Sequence, residues 1–158
     1  MAPASGLMLN ITGRIGDPPC TAGGGIIRDA NGNFIGTLYF YLDEIDIVIP
    51  ELEDLLYAAT CCREKNWVIN EVETSSQRLI NIMLAKEAHP WALVYKLRKV
   101  RACLTPISVF QLVPSRANGV AKALASLAIA TREGQIFSHA SELPATIPSA
   151  IFADAHAS

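Results

Sequence analysis

The sequence predicts an α/β domain in which a five-stranded mixed sheet carries helices on both faces. Three observations predict it. Segments with apolar residues at every second position occur early, midway and late in the chain. Stripes with spacings of three and four residues lie between and after them, the mark of amphipathic helices. An Asn31-Gly32 pair, a strong hairpin turn, joins two of the alternating segments. The resulting order is three strands, a helix, a strand, two helices, a strand and a helix. Three antiparallel strands followed by two parallel ones, reached through helical crossovers, satisfy that order.

Each element has its own warrant. Leu7, Leu9 and Ile11 alternate with Met8 and Asn10 as a first strand. A loop through Gly13, Gly16, Pro18 and Pro19 is expected next. Gly24 to Arg28 and Phe34 to Leu42 flank the hairpin turn as the second and third strands. The first helix opens with Pro50, whose fixed φ suits a first turn, and buries Leu52, Leu55, Leu56, Ala59 and Cys62. Glu51, Glu53 and Asp54 crowd its start, where the helix dipole favours anions. Trp67 to Val72 forms the fourth strand, and Ser75 or Ser76 caps a short helix carrying Leu79, Ile80, Ile82 and Met83. After His89-Pro90 a third helix turns Leu93, Val94, Leu97, Val100 and Leu104 inward and Lys96, Arg98, Lys99 and Arg101 outward. Ile107 to Leu112 is the fifth strand, and Pro114 ends it. A last helix, capped by Ser115 or Asn118, buries Ala121, Leu124, Ala128 and Leu127. The chain thus divides into a flexible start at 1–6, a domain over 7–132 and a partly ordered tail over 133–158 that carries Ile147, Ile151 and Phe152.

Composition narrows the function classes. The 158 residues are 51% apolar and 18% charged, with a formal net charge of −2, enough apolar material for one core. A pI near 5.9 argues against a protein whose main task is to coat DNA or RNA. No apolar run approaches the length of a membrane span, and the start lacks the pattern of a signal peptide, so a cytoplasmic or nuclear location is expected. Cys20, Cys61, Cys62 and Cys103 show no C-x-x-C spacing and read as reduced, mostly buried thiols.

Several segments together resemble a known family. Gly24-Gly25-Ile26-Ile27-Arg28-Asp29-Ala30-Asn31-Gly32-Asn33-Phe34-Ile35, then Val72-Glu73-Thr74-Ser75-Ser76-Gln77, then Ala117-Asn118-Gly119-Val120-Ala121-Lys122-Ala123-Leu124-Ala125 occur in the order and at the gaps of the ribonuclease H domain. The likeness is to the single-domain plant form related to the reverse transcriptases of non-LTR retroelements, and it extends from about Leu7 to Ile129. The resemblance implies the ribonuclease H-like fold. It also implies a chemistry, the hydrolysis of RNA in an RNA–DNA hybrid by two Mg²⁺ ions about 4 Å apart. In the family four acidic side chains hold these ions, as hard cations require.

Carried onto this chain, the four positions are Thr12, Glu51, Ser75 and Lys122. One carboxylate remains, and Lys122 balances its charge. A neutral site leaves two divalent cations to repel each other. The resemblance therefore implies a degenerate site with no catalytic residues, no bound metal and no cofactor. Lys122 is expected to pair with Glu51 in place of the metal. The candidates for a relocated acid are Asp17, Asp29, Asp43, Glu44, Asp46, Glu71 and Glu73. Glu73 would share the face of Ser75 if the fourth strand ran that far.

Arg14, Lys96, Lys99 and Asn118 are the candidate nucleic-acid contacts, Arg14 and Asn118 by resemblance and the lysines as part of a basic helix face. That face equally suits a solvated surface. The reading that follows is a catalytically inactive ribonuclease H-like protein, a pseudoenzyme that serves as a protein-interaction or regulatory module. A non-cleaving binder of RNA–DNA hybrids or other nucleic acid is the alternative. An active nuclease with a rearranged site stands last.

Overall fold

The computed structural model describes residues 4–16, 20–43, 49–84, 91–105, 108–114 and 119–137. Six strands, β1 (Ala4–Gly16), β2 (Cys20–Arg28), β3 (Phe34–Leu42), β4 (Trp67–Thr74), β5 (Val109–Leu112) and β6 (Gln135–Phe137), form one sheet in the order β5-β4-β1-β2-β3-β6. The pairs β1–β2, β2–β3 and β3–β6 are antiparallel, and β4 runs parallel to both β1 and β5. The expected five strands are therefore joined by a sixth. It lies in the segment read as tail, where three residues are too few to display a period. The tail residues Ile147, Ile151 and Phe152 lie outside the described residues.

Among the described residues four helices cover the sheet: α1 (Pro50–Glu64), α2 (Gln77–Met83), α3 (Trp91–Cys103) and α4 (Gly119–Thr131). Strand alternation sends Leu7, Leu9, Ile11, Ile27, Leu38, Phe40 and Val72 to one face, against Leu52, Leu55, Leu79, Met83, Leu93 and Val100 of α1, α2 and α3. The opposite face sends Ala22, Ile26 and Tyr39 against Val120, Leu124 and Ala128 of α4. Gly24 allows this second layer its close approach, because a Cβ there would overlap the Ala121 carbonyl oxygen.

Local chemistry explains most element ends. Pro50 occupies the first turn of α1, and Asn66, with φ 59°, takes the left-handed conformation just past its end. Between β2 and β3, the Asp29 carboxylate accepts from the amides of Asn31 and Asn33, both at 2.9 Å, and Gly32 adopts φ 84°. Ser76 is the cap of α2, its Oγ accepting from the Leu79 amide at 3.1 Å. β1 runs longer than expected. Gly13 and Gly16, read as loop residues, pair with Gly23 and Cys20, so the backbone ladder overrides the turn tendency of glycine. All four cysteines are free.

Candidate functional site

The later half of β1, the first turn of α1 and the junction of β4 with α2 converge on a cavity of about 200 Å³. Three of the four aligned positions line it: Thr12, Glu51 and Ser75. Lys122 does not, and it is exposed on α4. The cation beside Glu51 is Arg78 of α2, whose Nε lies 3.8 Å from Oε2. The expected Lys122–Glu51 pair is thus replaced by a pair with an arginine one crossover away, because α2 starts at the cavity rim. With the Arg78 side chain 58% exposed, the pair is loose and contributes at most about 1 kcal/mol.

A second carboxyl also lines the cavity. Asp54, 3% exposed, sits one turn after Glu51 on the same helix. Its Oδ1 and Oδ2 lie 3.0 and 3.2 Å from Thr21 Oγ1 on β2. To reach β2 the carboxyl passes over Gly13, where a Cβ would overlap Oδ2. Burial pushes its pKa up to about 8; the Thr21 hydrogen bond opposes this and the charge of Glu51 adds to it. Burial thus favours the protonated form of Asp54 near neutral pH, and Thr21 Oγ1 donates to its carboxyl. Helix-start acids all read alike from dipole arguments. Glu53 and Asp54 both lie between Leu52 and Leu55 and both are buried, so no sequence signal separates them before Thr21 and Lys96 are in place.

Glu53, the third acid of that turn, forms an ion pair with Lys96 of α3. One short acidic run thus divides among three jobs: a cavity wall, a helix–helix pair and a buried hydrogen bond.

The remaining polar lining groups are the hydroxyls of Thr12, Thr74, Ser75 and Ser76. Thr74 Oγ1 accepts from the Ser76 amide at 3.1 Å, while Ser76 Oγ caps α2. The donor set does not fit a pair of magnesium ions. One carboxylate already facing an arginine, and a second carboxyl turned into a buried hydrogen bond with Thr21, fall short of the charge that two divalent ions need. Among the described residues no group of three or more His, Cys, Asp or Glu side chains is placed to hold a metal ion.

The other candidates fall elsewhere. β4 ends at Thr74, so Ser75 is not on the strand, and Glu73 faces away from Val72 and Thr74 and from the cavity. Its pKa is raised by partial burial and by Glu71, against the opposing charge of Arg28. Asp29 is occupied by its own turn. Asp17, Glu44, Asp46 and Asn118 lie outside the described residues, as does the side chain of Arg14. Within the basic series on α3, Lys96 turns inward to Glu53 and Arg101 donates to the Met83 carbonyl. Arg98 and Lys99 remain exposed, with Lys99 Nζ 4.5 Å from the centre of the Tyr95 ring.

A family model described as reverse transcriptase-like matches residues 14–128, most of the chain. The chain belongs to that reverse transcriptase-like family. Solved structures resemble this reverse transcriptase-like chain as well. LC11-RNase H1, isolated from compost by a metagenomic approach and crystallised with an RNA/DNA hybrid, superposes with a TM-score of 0.67 at 23% identity, over 80% of this chain and 98% of its own. RNase H1 of the halophilic archaeon Halobacterium salinarum NRC-1 gives a TM-score of 0.65 at 19% identity, over 79% and 98%. At such identities the likeness establishes the fold, which is ribonuclease H-like as the sequence implies. The comparison with curated protein sequences finds no match.

Proposed function

We propose that this reverse transcriptase-like domain does not cleave nucleic acid and serves as a protein-interaction or regulatory module. One observation carries the reading. The cavity at the aligned site is lined by Thr12, Glu51 and Ser75, with Arg78 beside Glu51 and with Asp54 turned into a buried hydrogen bond. Hydrolysis by the metal-pair mechanism requires charge that these groups do not supply. A ribonuclease H-like fold kept without that charge retains its surfaces, and the domain acts through them. Its partners are proteins, and it works in the cytoplasm or nucleus. Among the described residues no helix is long and apolar enough to cross a membrane.

A second reading has its own support. LC11-RNase H1 was crystallised with an RNA/DNA hybrid, and Arg98 and Lys99 stand exposed on α3 here. On that reading the domain holds a hybrid without cutting it.

A labelled RNA–DNA hybrid incubated with Mg²⁺ or Mn²⁺ separates these readings. No cleavage, no retention and capture of a specific protein support the first. Retention with a steep salt dependence and no cleavage supports the second. Turnover at catalytic protein amounts overturns both. The triple variant Thr12→Asp/Ser75→Asp/Lys122→Asp restores the acids of the aligned positions, and hydrolysis gained there supports both the alignment and the manner of the loss.

A further inference from the structure

α4 packs on β1, β2 and β3 but does not extend over the β4–β5 side of the sheet, where no described helix takes its place. On this side β4 presents Glu71 and Glu73, and β5 presents Val109 and Gln111. The parity follows from Val72 and Phe110, which face the other core. The register sets Glu71 opposite Val109 and Glu73 opposite Gln111, with Met8 of β1 beside Glu71. Val109 is 59% exposed, and both glutamates are partly exposed. Arg28, across Met8 on β2, is the cation of this surface nearest the pair in register. The outer edge, Val-Phe-Gln-Leu, carries no charge of its own.

The complementary feature lies on α3. Tyr95, Arg98, Lys99 and Ala102 fall at spacings of three and four, so they form one stripe, and all four are exposed. No acid interrupts it. α3 packs on the face of the sheet opposite to α4, so one chain cannot bring this stripe to its own β4–β5 surface.

We infer that the α3 stripe of one copy docks on the β4–β5 face of a second copy, which no described helix covers, with Arg98 and Lys99 meeting Glu71 and Glu73 while Tyr95 covers Val109 and Met8. A helix about 10 Å across spans two strands about 4.8 Å apart. The incoming helix supplies the cover that α4 gives to the other half of the sheet. Like charges keep two α3 stripes apart, and likewise two glutamate faces. The contact is therefore head-to-tail, and it closes into a ring or runs on as a chain. The footprint of one helix on two strands falls below the standard interface size, so association is weak and rapidly reversible. The inference does not depend on what the cavity binds.

Sedimentation velocity of the full chain between about 5 and 500 μM, at low and at high salt, tests it. The sedimentation coefficient should rise with concentration at low salt, and about tenfold more protein should be needed at high salt. Glu71→Lys/Glu73→Lys and Arg98→Glu/Lys99→Glu should each remain monomeric, and their equimolar mixture should associate again. Where the half-buried lysines prevent folding, Glu71→Gln and the α3 variant alone carry the test. A chain that stays monomeric throughout overturns the inference. So does association indifferent to both charge reversals. So does a wild-type chain whose α3 stripe binds a single-stranded oligonucleotide while the protein stays monomeric, which makes the stripe a polyanion site.

Discussion

The Asp54 carboxyl lies over Gly13, in the space that any side chain at position 13 would claim, and ends on the Thr21 hydroxyl of the next strand. Helix α1 is thereby pinned across β1 to β2. Gly13→Ala should destabilise the protein by about 2 kcal/mol, the usual cost of forcing one extra methyl into a packed site. Its effect should shrink when Asp54 is shortened as well. Urea denaturation of Gly13→Ala, Asp54→Ser and the double variant measures this coupling, and additive effects would contradict the contact.

The same carboxyl makes stability depend on pH. Asp54 keeps its proton in the folded state up to about pH 8, whereas the unfolded chain releases it near the ordinary carboxylate value. Between about pH 4 and 8 the folded state binds the extra proton, so this contribution to stability falls as pH rises and levels off above 8. Asp54→Asn keeps an acceptor for Thr21 and has no proton to lose. It should be more stable than the wild type at pH 8, on the order of 2 kcal/mol, and less different near pH 4. Thermal melts of both proteins across this range would show a parallel pH dependence if Asp54 were ordinarily ionised.

Gly24 tests the other layer. A methyl there meets the backbone of α4 at Ala121 and Ala125 rather than a side chain able to turn aside. Gly24→Ala should cost about 3 kcal/mol and loosen α4 first. Hydrogen exchange should show α4 amides losing protection before those of α1, and equal loss in both helices would argue against this packing.

The thiols give a simpler check. Burial pushes Cys62 up to about 12 and Cys61 to about 11, so neither forms thiolate near neutral pH. Iodoacetamide at pH 8 should leave Cys62 unmodified in the folded chain and label it fully in denaturant. Peptide mass mapping with label at Cys62 under native conditions would show the core open.

The first three strands are readable in the sequence because Leu7, Leu9 and Ile11 alternate cleanly and Asn31-Gly32 can do little but turn. The sequence narrowed the cap of α2 to Ser75 or Ser76, of which the structure uses Ser76, and the aligned positions Thr12, Glu51 and Ser75 line one cavity. Other features depend on contacts between distant segments. The three acids at the start of α1 look equivalent until Thr21, Arg78 and Lys96 are in place around them. The pairing of Glu51 with Arg78 turns on where α2 starts, which periodicity locates only to within a turn. β6 is held by β3 and has no pattern of its own. Lys96 reads as an outward base on a helical wheel, and only the neighbouring α1 reveals that it points to Glu53.

A pair of divalent ions needs negative charge that Thr12, Glu51, Ser75 and an Asp54 engaged by Thr21 do not offer. Titration of the protein with Mn²⁺ at pH 7, followed by electron paramagnetic resonance of the free ion, measures this directly. No saturable binding below millimolar metal is the predicted result, with Glu51→Gln indistinguishable from the wild type. Two ions held per chain, and released by Glu51→Gln, would contradict it.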